Sequence, residues 1–573
     1  MEGLTIKTIP FTKEEIDKIK TDYNAFNDYP IIYILHKEKE AYIGETVNAF
    51  NRLHNHRLNR NNTSNVKNRH DFKHVTLIKH EKFNQSATYN LETKLINYFL
   101  GDERYTLRNV SQTVSSVVHN YYEKNFYNDE VFEAIWKTLK DTEQIVNKDL
   151  FLIENNDIFK LSPFKQLTSE QFELYQDVVY ELEEQFFKMN TQNKTEHKVI
   201  FIEGSAGVGK SVVLSSLYYK TLEMSKDKNS HLYDTSSYIL INHNEALKTF
   251  HSIASNVKIM QKNKILKPTS FINQMPLDIE TTPADIVFVD EAHLLLSSSD
   301  SYNSYHGHNH LEDIIKRAKV TIIIFDSKQV TRNKAYWDAK TLNTALSKYK
   351  PKRYKLSTQM RMHAGDELVS WLDNLVQKKI THMPNVPKTY DFDIFEHASD
   401  MHKKIQQQNT KWGLSRVVST FDFEHKKDGG KYHVTTGGLD LPWNLTDSST
   451  TWAQREKTSP HGSSVDEVGS IYTVQGFDLN YVGVILGPSI SYDEKNNKLV
   501  ILSDRYKDTE AFKGLGNQPN AAKIKEEIIL NALNILLKRG IKGLYLYAHD
   551  EKLRTKLLEI QKLLYNTSNS TKG

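Results

Sequence analysis

The 573-residue chain has no cysteine, which excludes disulfides, thiolate metal cages and cysteine nucleophiles. It also lacks any unbroken apolar run of about 18 residues, and its mean hydropathy is −0.58, so no membrane-spanning protein is expected. The opening Met1-Glu2-Gly3-Leu4-Thr5-Ile6-Lys7 has neither the basic flank nor the apolar core of a signal peptide, and a cytoplasmic location is expected. An excess of one charge is missing too. The 75 Lys and Arg stand against 71 Asp and Glu, a net +4, so affinity for nucleic acid must be sought locally rather than in the total. No repeat of fixed period occurs, and the polar tail Asn566 to Gly573 is the only low-complexity stretch. Length alone calls for several domains, since single cores stop growing well below this size.

One segment does concentrate charge. Arg52 to Lys82 holds eight basic residues (Arg52, Arg57, Arg60, Lys67, Arg69, Lys73, Lys79, Lys82) against Asp71 and Glu81, with five histidines besides. Charge alone does not separate a solvated face from a phosphate-contacting one. Ahead of it, Thr12 and Glu15 form a T-x-x-E capping box before Ile16, Ile19 and Tyr23, predicting a short opening helix.

From about Tyr29 to Asn120, short apolar runs (Ile31 to Leu35, Val75 to Ile78) alternate with helical stretches. A connecting helix is expected around Val131, Ile135 and Leu139, and Asn155 to Asp157 suits a hinge, with a boundary near 160. Four apolar runs follow, Val199 to Ile202, Tyr238 to Ile241, Ile286 to Val289 and Val320 to Phe325, separated by long segments. This is the strand-and-crossover rhythm of a doubly wound parallel sheet. A second such region holds Tyr481 to Leu486 and Leu544 to Tyr547, after a looser polar stretch from about Lys403 to Ser463.

Gly204-Ser205-Ala206-Gly207-Val208-Gly209-Lys210-Ser211 matches G-x-x-x-x-G-K-[ST] directly after an apolar strand, the context that makes a P-loop credible. Glycines let backbone N–H groups turn around phosphates, Lys210 supplies charge to the β and γ phosphates, and the Ser211 hydroxyl suits Mg²⁺ at a helix N-terminus. Ile286 to His293 places Asp290 and Glu291 at the end of a buried strand, Asp290 for Mg²⁺ and Glu291 for polarising the attacking water. The next strand runs into Phe325-Asp326-Ser327-Lys328-Gln329, whose Gln329 amide is placed to sense the γ-phosphate.

These motifs, with Leu356 to Arg361, Thr473 to Asp478 and Leu536 to Gly540 in that order, resemble a superfamily-1 helicase core. They are most similar to the Schlafen group-3 helicase-like domain of bacteria, over roughly residues 165 to 560. The resemblance implies that Gln171 reads adenine, that Arg361 and Arg539 reach the γ-phosphate from a second domain, and that Gln475 couples the two. Thr168 and Gln171 also fit a T-x-x-Q capping box, a role that can coexist with adenine reading. The pattern departs from the family at Lys538, where threonine often precedes the last arginine.

In the N-terminal region, Ile31-Ile32-Tyr33 and Tyr42-Ile43-Gly44 place two phenols on neighbouring strands of a hairpin turning at Lys37 to Glu40. Arg52 and His56, four apart on a helix buried through Phe50 and Leu53, project together. Glu92 lies on a helix with Leu91, Leu95 and Phe99 as its stripe, and Asn109 in a later loop. The set resembles the GIY-YIG nuclease family over about residues 29 to 120, with Ile31 in place of the first glycine. The resemblance implies that Glu92 holds a divalent cation (Mg²⁺ or Mn²⁺), that Arg52 meets the non-bridging oxygens, that Tyr33 or Tyr42 orients or deprotonates water, and that His56 accepts the proton. Which phenol is the base stays open. Asn109 belongs to the same catalytic set, and the basic stretch then has a location beside the scissile phosphate, with Arg57, Arg60, Lys67, Arg69 and Lys73 as nucleic-acid contacts.

The expected fold is therefore α/β: a small α/β GIY-YIG domain (1–120, with its N-terminal helix), a helical connector (121–164), and two RecA-like parallel-sheet domains (165–350, and 351–573 with insertions). The expected function is an ATP-dependent endonuclease with a superfamily-1 motor acting on nucleic acid, DNA in the first instance, with no membrane partner. By analogy of architecture it resembles bacterial nuclease–helicase proteins of anti-phage immunity. The alternatives are a repair or restriction-like enzyme of the same chemistry, and a nucleotide-gated clamp that positions the nuclease without unwinding. Oligomeric state, polarity of movement and the trigger are not legible in the sequence.

Overall fold

The structure is a computed structural model. It describes residues 1–58, 71–109, 121–192, 197–275, 277, 284–300, 304–335, 337, 339–357, 362–426, 428, 430–445, 452–455, 462–474, 478–516 and 520–570. The chain forms two compact units, one of residues 1–194, 211–239 and 247–266, the other of 195–210, 240–246 and 267–573. Among the described residues no helix is long and apolar enough to cross a membrane.

In the first unit a five-stranded sheet runs Leu4–Pro10, His74–His80, Ile31–Lys37, Glu40–Thr46, Thr106–Leu107 in spatial order. The hairpin turns where the sequence placed it, with Lys37 opposite Glu40 and Tyr33 opposite Gly44. Strand Ile31–Lys37 is central, so Ile31 through Leu35 are buried on both faces, and Ile31 in place of a glycine joins the core with Leu53, Val75 and Leu77.

Thr12 caps the helix, its Oγ1 accepting the Glu15 N–H at 3.3 Å, while the Glu15 carboxylate pairs with Lys18, and the helix is only Lys13–Asp17. The opening is mainly a strand. Leu4-Thr5-Ile6-Lys7-Thr8-Ile9 alternates with period two and pairs antiparallel with His74–His80. The connecting helix is Phe132–Asp141, burying Ile135, Trp136 and Leu139. The hinge expected at Asn155 to Asp157 is a packed corner instead. Asn156 caps helix Asp157–Lys160 through the Ile158 N–H (2.9 Å) and donates to the Gly101 carbonyl (3.3 Å), which packs the segment against the end of helix Gln85–Asp102.

Helix Lys210–Met224 carries its Tyr218, Tyr219 and Glu223 into the interior of the first unit. Burial raises the Glu223 carboxyl to about 7 against the opposing charge of Lys220, its ion-pair partner at 3.6 Å. A folded-state value above the unfolded one stabilises the fold at low pH, and this contribution is lost as pH rises from about 4.5 through about 7. Glu223→Gln removes that slope. Relative to wild type its urea midpoint should shift upward between pH 5 and pH 8, by up to about 2 kcal/mol in unfolding free energy. A shift independent of pH would mean that the Glu223 carboxyl titrates alike in the folded and unfolded chain.

The second unit contains two parallel sheets, as α/β alternation predicts. In the first, Lys352–Leu356, Lys198–Gly204, Val320–Phe325 and Ile286–Asp290 are successive parallel neighbours. In the second, the order is Asp391–Ile394, Gly540–Ala548, Leu479–Leu486, Ser415–Ser419 and Val468–Gly469, again all parallel. Strand Ser415–Ser419 lies inside the stretch that looked loose and polar. Its Val417 and Val418 are buried, and Arg416 is fully buried because Ser464, Asn409 and two main-chain carbonyls take its guanidinium protons. Helix Ala398–Trp412 occupies the start of the same stretch.

Candidate functional site

The P-loop turn follows strand Lys198–Gly204 and opens helix Lys210–Met224. Gly207 and Gly209 adopt φ of 84° and 78°, left-handed backbone that a side chain would resist. Gly204 is needed for packing, since a Cβ there would lie 2.8 Å from Val208 Cγ2 and 3.0 Å from the Leu356 carbonyl oxygen. The Lys210 ammonium is buried and donates to the carbonyls of Gly204 and Ser205, both at 2.8 Å, and to Asp326 Oδ2 at 3.1 Å. All three partners are oxygen acceptors that phosphate oxygens can replace, so the residues present fit a nucleotide.

Asp326 directly follows strand Val320–Phe325. In the structure it is the counter-ion of Lys210, 2% exposed. Burial works to raise its carboxyl, and the Lys210 charge more than offsets this, holding it below the ordinary value with the Gln329 hydrogen bond. The Gln329 amide donates to the same oxygen at 2.6 Å, so it holds Asp326 rather than reaching outward.

Asp290 ends strand Ile286–Asp290 at 2% exposure, its Oδ1 accepting the Glu291 N–H at 3.0 Å. Glu291 sits at φ 49°, a left-handed conformation that costs a non-glycine residue about 1 kcal/mol or more and collects at functional positions. Its Oε2 lies 3.2 Å from Nε2 of the fully buried His293. Burial depresses His293, and burial likewise takes His243 down to about 4, while the Glu291 charge pulls both back up. Both imidazoles are therefore held toward the neutral form beside the Glu291 carboxyl. The positive charge of Arg539, itself 1% exposed, is felt at both. Lys538, the family departure, is buried in an ion pair with Asp373 Oδ1 at 2.8 Å, and Lys328 approaches the same oxygen at 3.5 Å. The departure thus has a structural use, tying the segment before Arg539 to helix Gly365–Val376. Gln171 forms the capping box with Thr168, each side chain bonding the other's main-chain N–H. Arg361 and Gln475 lie outside the described residues.

Among the described residues no three His, Asp or Glu side chains gather to cage a metal. Mg²⁺ at phosphoryl-transfer sites is held instead by one or two protein oxygens plus phosphates. The Ser211 hydroxyl and the Asp290 carboxylate fit that requirement.

In the N-terminal sheet, Tyr33, Tyr42, Arg52 and His56 converge. The Tyr33 hydroxyl is 2.8 Å from His56 Nε2 and accepts the Arg52 Nε–H at 3.1 Å. The rings of Tyr33 and Tyr42 are 6.1 Å apart, and the Tyr42 ring lies 5.6 Å from that of His56. Helix Ala49–Leu58 brings Arg52 and His56 onto one face by their i, i+4 spacing, while Leu53 is buried in the core. Burial opposes the Arg52 charge, but the two phenol oxygens outweigh it and raise its affinity for the proton. Gly44 is dictated by this packing, because a Cβ there would lie 2.4 Å from the Tyr33 ring.

Glu92 is 7% exposed on helix Gln85–Asp102 and adds its charge to that of Glu45 in raising the Tyr89 phenol, which burial raises most. One buried carboxylate fits a cation completed by substrate phosphate. Asn109 takes a different part from the catalytic one expected. Its Oδ1 accepts the Ile43 N–H (3.2 Å) and its Nδ2 donates to the Ile43 carbonyl (2.8 Å), so its side chain is consumed in holding the Tyr42–Gly44 strand. Of the expected nucleic-acid contacts, Arg57 donates to the Phe11 carbonyl at 2.6 Å and Lys73 pairs with Glu38 at 3.2 Å. Arg60, Lys67 and Arg69 lie outside the described residues.

Residues 197–550, more than half of the chain, match the family described as Schlafen group 3, DNA/RNA helicase domain. An uncharacterised protein of Saccharomyces cerevisiae is 36% identical over 427 residues, covering 69% of this chain and 91% of its own length. Among solved structures, a DEAD box protein from the hyperthermophile Methanococcus jannaschii is 12% identical, with a TM-score of 0.28, covering 74% of this chain and 96% of its own. The Pif1 helicase from Candida albicans is 12% identical with a TM-score of 0.28, covering 70% of this chain and 99% of its own.

Proposed function

Because the chain belongs to the Schlafen group 3 DNA/RNA helicase domain family, we propose that it is an ATP-hydrolysing motor on nucleic acid, DNA first, whose N-terminal head cuts the phosphodiester backbone. The domain limits expected from the sequence, 1–120, 121–164, 165–350 and 351–573, are the division this reading uses.

The helicase domain implies ATP with Mg²⁺. In the motor, Lys210 exchanges Asp326 for the β and γ phosphates, and Ser211 with Asp290 holds the cation, whose charge offsets that of the phosphates. Glu291, beside two histidines that burial holds toward the neutral form, orients and polarises the attacking water. Arg539 and Arg361 supply positive charge to the transferring phosphoryl group, with Gln475 coupling, Gln171 reading adenine and Gln329 releasing Asp326 as the phosphates arrive.

The observation that supports the nuclease half is the hydrogen-bonded line Arg52–Tyr33–His56. Arg52 donates to the phenol oxygen, and the same hydroxyl lies within hydrogen-bonding distance of His56 Nε2. An isolated phenol, with pKa about 10, is a poor base at pH 7, and a cation on one side with an imidazole acceptor on the other is how such a group is activated. Tyr33 is therefore assigned as the base that takes a proton from water, passing its own to His56, and Tyr42 as the second phenol that steadies Arg52. Arg52 meets the phosphorane charge, and Glu92 holds the divalent cation that, when bound, stabilises the leaving oxygen.

The test is incubation of the full chain with labelled single- and double-stranded DNA and RNA, with Mg²⁺ or Mn²⁺, with and without ATP. Metal-dependent cutting together with ATP-dependent strand displacement is expected. Cutting stimulated by ATP without displacement would make the motor a clamp, and no cutting under any condition would remove the nuclease half. The fused architecture also supports an anti-phage role, checked by plaque counts on a bacterial host expressing wild type or the Lys210→Ala variant.

A further inference from the structure

Residues 106–109 are a short splint inside the first unit. On one side Thr106 and Leu107 pair in parallel with Glu40 and Ala41, the Arg108 N–H donates to the Ala41 carbonyl at 2.9 Å, and the Asn109 amide holds both main-chain groups of Ile43. The splint is thereby zipped along the strand that carries Tyr42 and Gly44. On its other side it meets segments belonging to the nucleotide-binding part of the chain. Leu107 forms a parallel bridge with Val257, and the Asn109 carbonyl oxygen accepts the Tyr219 hydroxyl at 3.1 Å.

Tyr219 belongs to helix Lys210–Met224, whose first residue is the P-loop lysine. Nine residues separate the two, about 13 Å along one rigid helix. The ring is fully buried and meets Phe164 edge-on at 5.0 Å, and one turn earlier Ser216 Oγ donates to the Pro163 carbonyl at 3.2 Å. Burial, with the Glu223 charge, raises the phenol well above its ordinary value, so it remains a hydrogen-bond donor at every working pH.

We propose that Tyr219 is a positioning residue for the nuclease centre, its hydroxyl carrying the nucleotide state of the P-loop helix through the Asn109 carbonyl to the strand that bears Tyr42. The consequence is that cutting responds to bound nucleotide without any contact between nucleotide and nucleic acid. Beside the Leu107–Val257 bridge, the link runs through one hydroxyl, one carbonyl and the side-chain amide that grips Ile43. Because Gly44 is flush with the Tyr33 ring, a displacement of that strand by a few tenths of an ångström is felt at the phenol bonded to Arg52 and His56. Packed interiors transmit such shifts rather than absorb them. The inference rests on the nuclease reading for its function but not for its physical test.

The test compares the full-length wild type with Tyr219→Phe, which keeps the ring and removes only the donor. Three quantities are measured with and without the non-hydrolysable analogue AMP-PNP or ADP, in Mg²⁺: DNA cutting, ATP hydrolysis, and hydrogen exchange of the amides of residues 41–46. In wild type, the analogue should change the cutting rate by about fivefold or more and alter exchange in 41–46. In Tyr219→Phe, ATP hydrolysis and nucleotide-free cutting should stay within about twofold of wild type, while both nucleotide responses disappear. A purely structural hydroxyl would instead lower stability by about 1 kcal/mol and leave the nucleotide response intact; that result overturns the proposal. So does the absence of any exchange response in wild type. If wild type does not cut at all, the nuclease reading fails by itself, and exchange in 41–46 still decides whether Tyr219 couples the two elements.

Discussion

Lys210→Ala will lose ATP hydrolysis by about 10³-fold or more, because the ammonium is the one fixed positive side chain that the P-loop brings to the transferring phosphoryl group. The same substitution also leaves Asp326 buried with Gln329 as its remaining side-chain partner. Removing one member of a buried ion pair costs about 3 kcal/mol or more. Lys210→Gln separates the two effects, since its amide still donates to Asp326 while the charge is gone. Loss of hydrolysis in a Lys210→Gln protein whose circular dichroism and melting match wild type isolates the phosphate role. Metal-dependent nicking of short DNA should persist in both variants, because Glu92 lies in the head. Undiminished ATPase activity in either variant would dismiss the P-loop assignment. Glu291→Gln should behave differently again, retaining bound ATP without turning it over, since an amide can orient water but not polarise it as a carboxylate does.

The other large effect is expected at Glu92. Glu92→Ala should reduce DNA cutting by about 10³-fold, the several kcal/mol that a correctly held cation contributes at a leaving oxygen. DNA affinity and its salt dependence should change little, as both are carried by basic residues rather than by this buried carboxylate. ATP hydrolysis should be unaffected. Isothermal titration with Mn²⁺ gives a second readout, in which the head's metal binding is lost in Glu92→Ala and the motor's is retained. Near wild-type cutting by the variant would make Glu92 a structural group of the helix Gln85–Asp102 and nothing more.

Arg52→Ala should distinguish catalysis from anchoring in the same assay. Its guanidinium is committed to the two phenols, so its loss should slow cutting far more than it weakens binding. Equal losses in both would make it a phosphate anchor.

What the residues declared by themselves was local chemistry. A P-loop is contiguous, and its glycines, lysine and hydroxyl announce a phosphate site because no other arrangement of eight residues serves that end so directly. The hairpin register followed from its two apolar strands and the tight turn between them, and Arg52 with His56 from helical spacing, all interactions within a few residues of chain. The central strands were legible, four apolar runs of the first sheet and Tyr481–Leu486 and Leu544–Tyr547 of the second, because strands buried on two faces have no polar alternation to disguise them.

The tertiary structure decided whatever joins distant positions. Leu4–Pro10 has the alternation of a strand, yet only its partner His74–His80 makes it one. Ser415–Ser419 was hidden because its arginine is buried by neighbours up to 48 residues away that satisfy it. Asp326 is the counter-ion of a lysine 116 residues earlier, and Asn109 holds a main chain 66 residues earlier instead of a substrate. Tyr219 reaches back 110 residues to the splint paired alongside the Tyr42 strand. Side-chain type specifies what a group can bond, but when the alternatives are water, substrate or a distant backbone, the choice is made by which of them packing brings within 3 Å and shields from solvent.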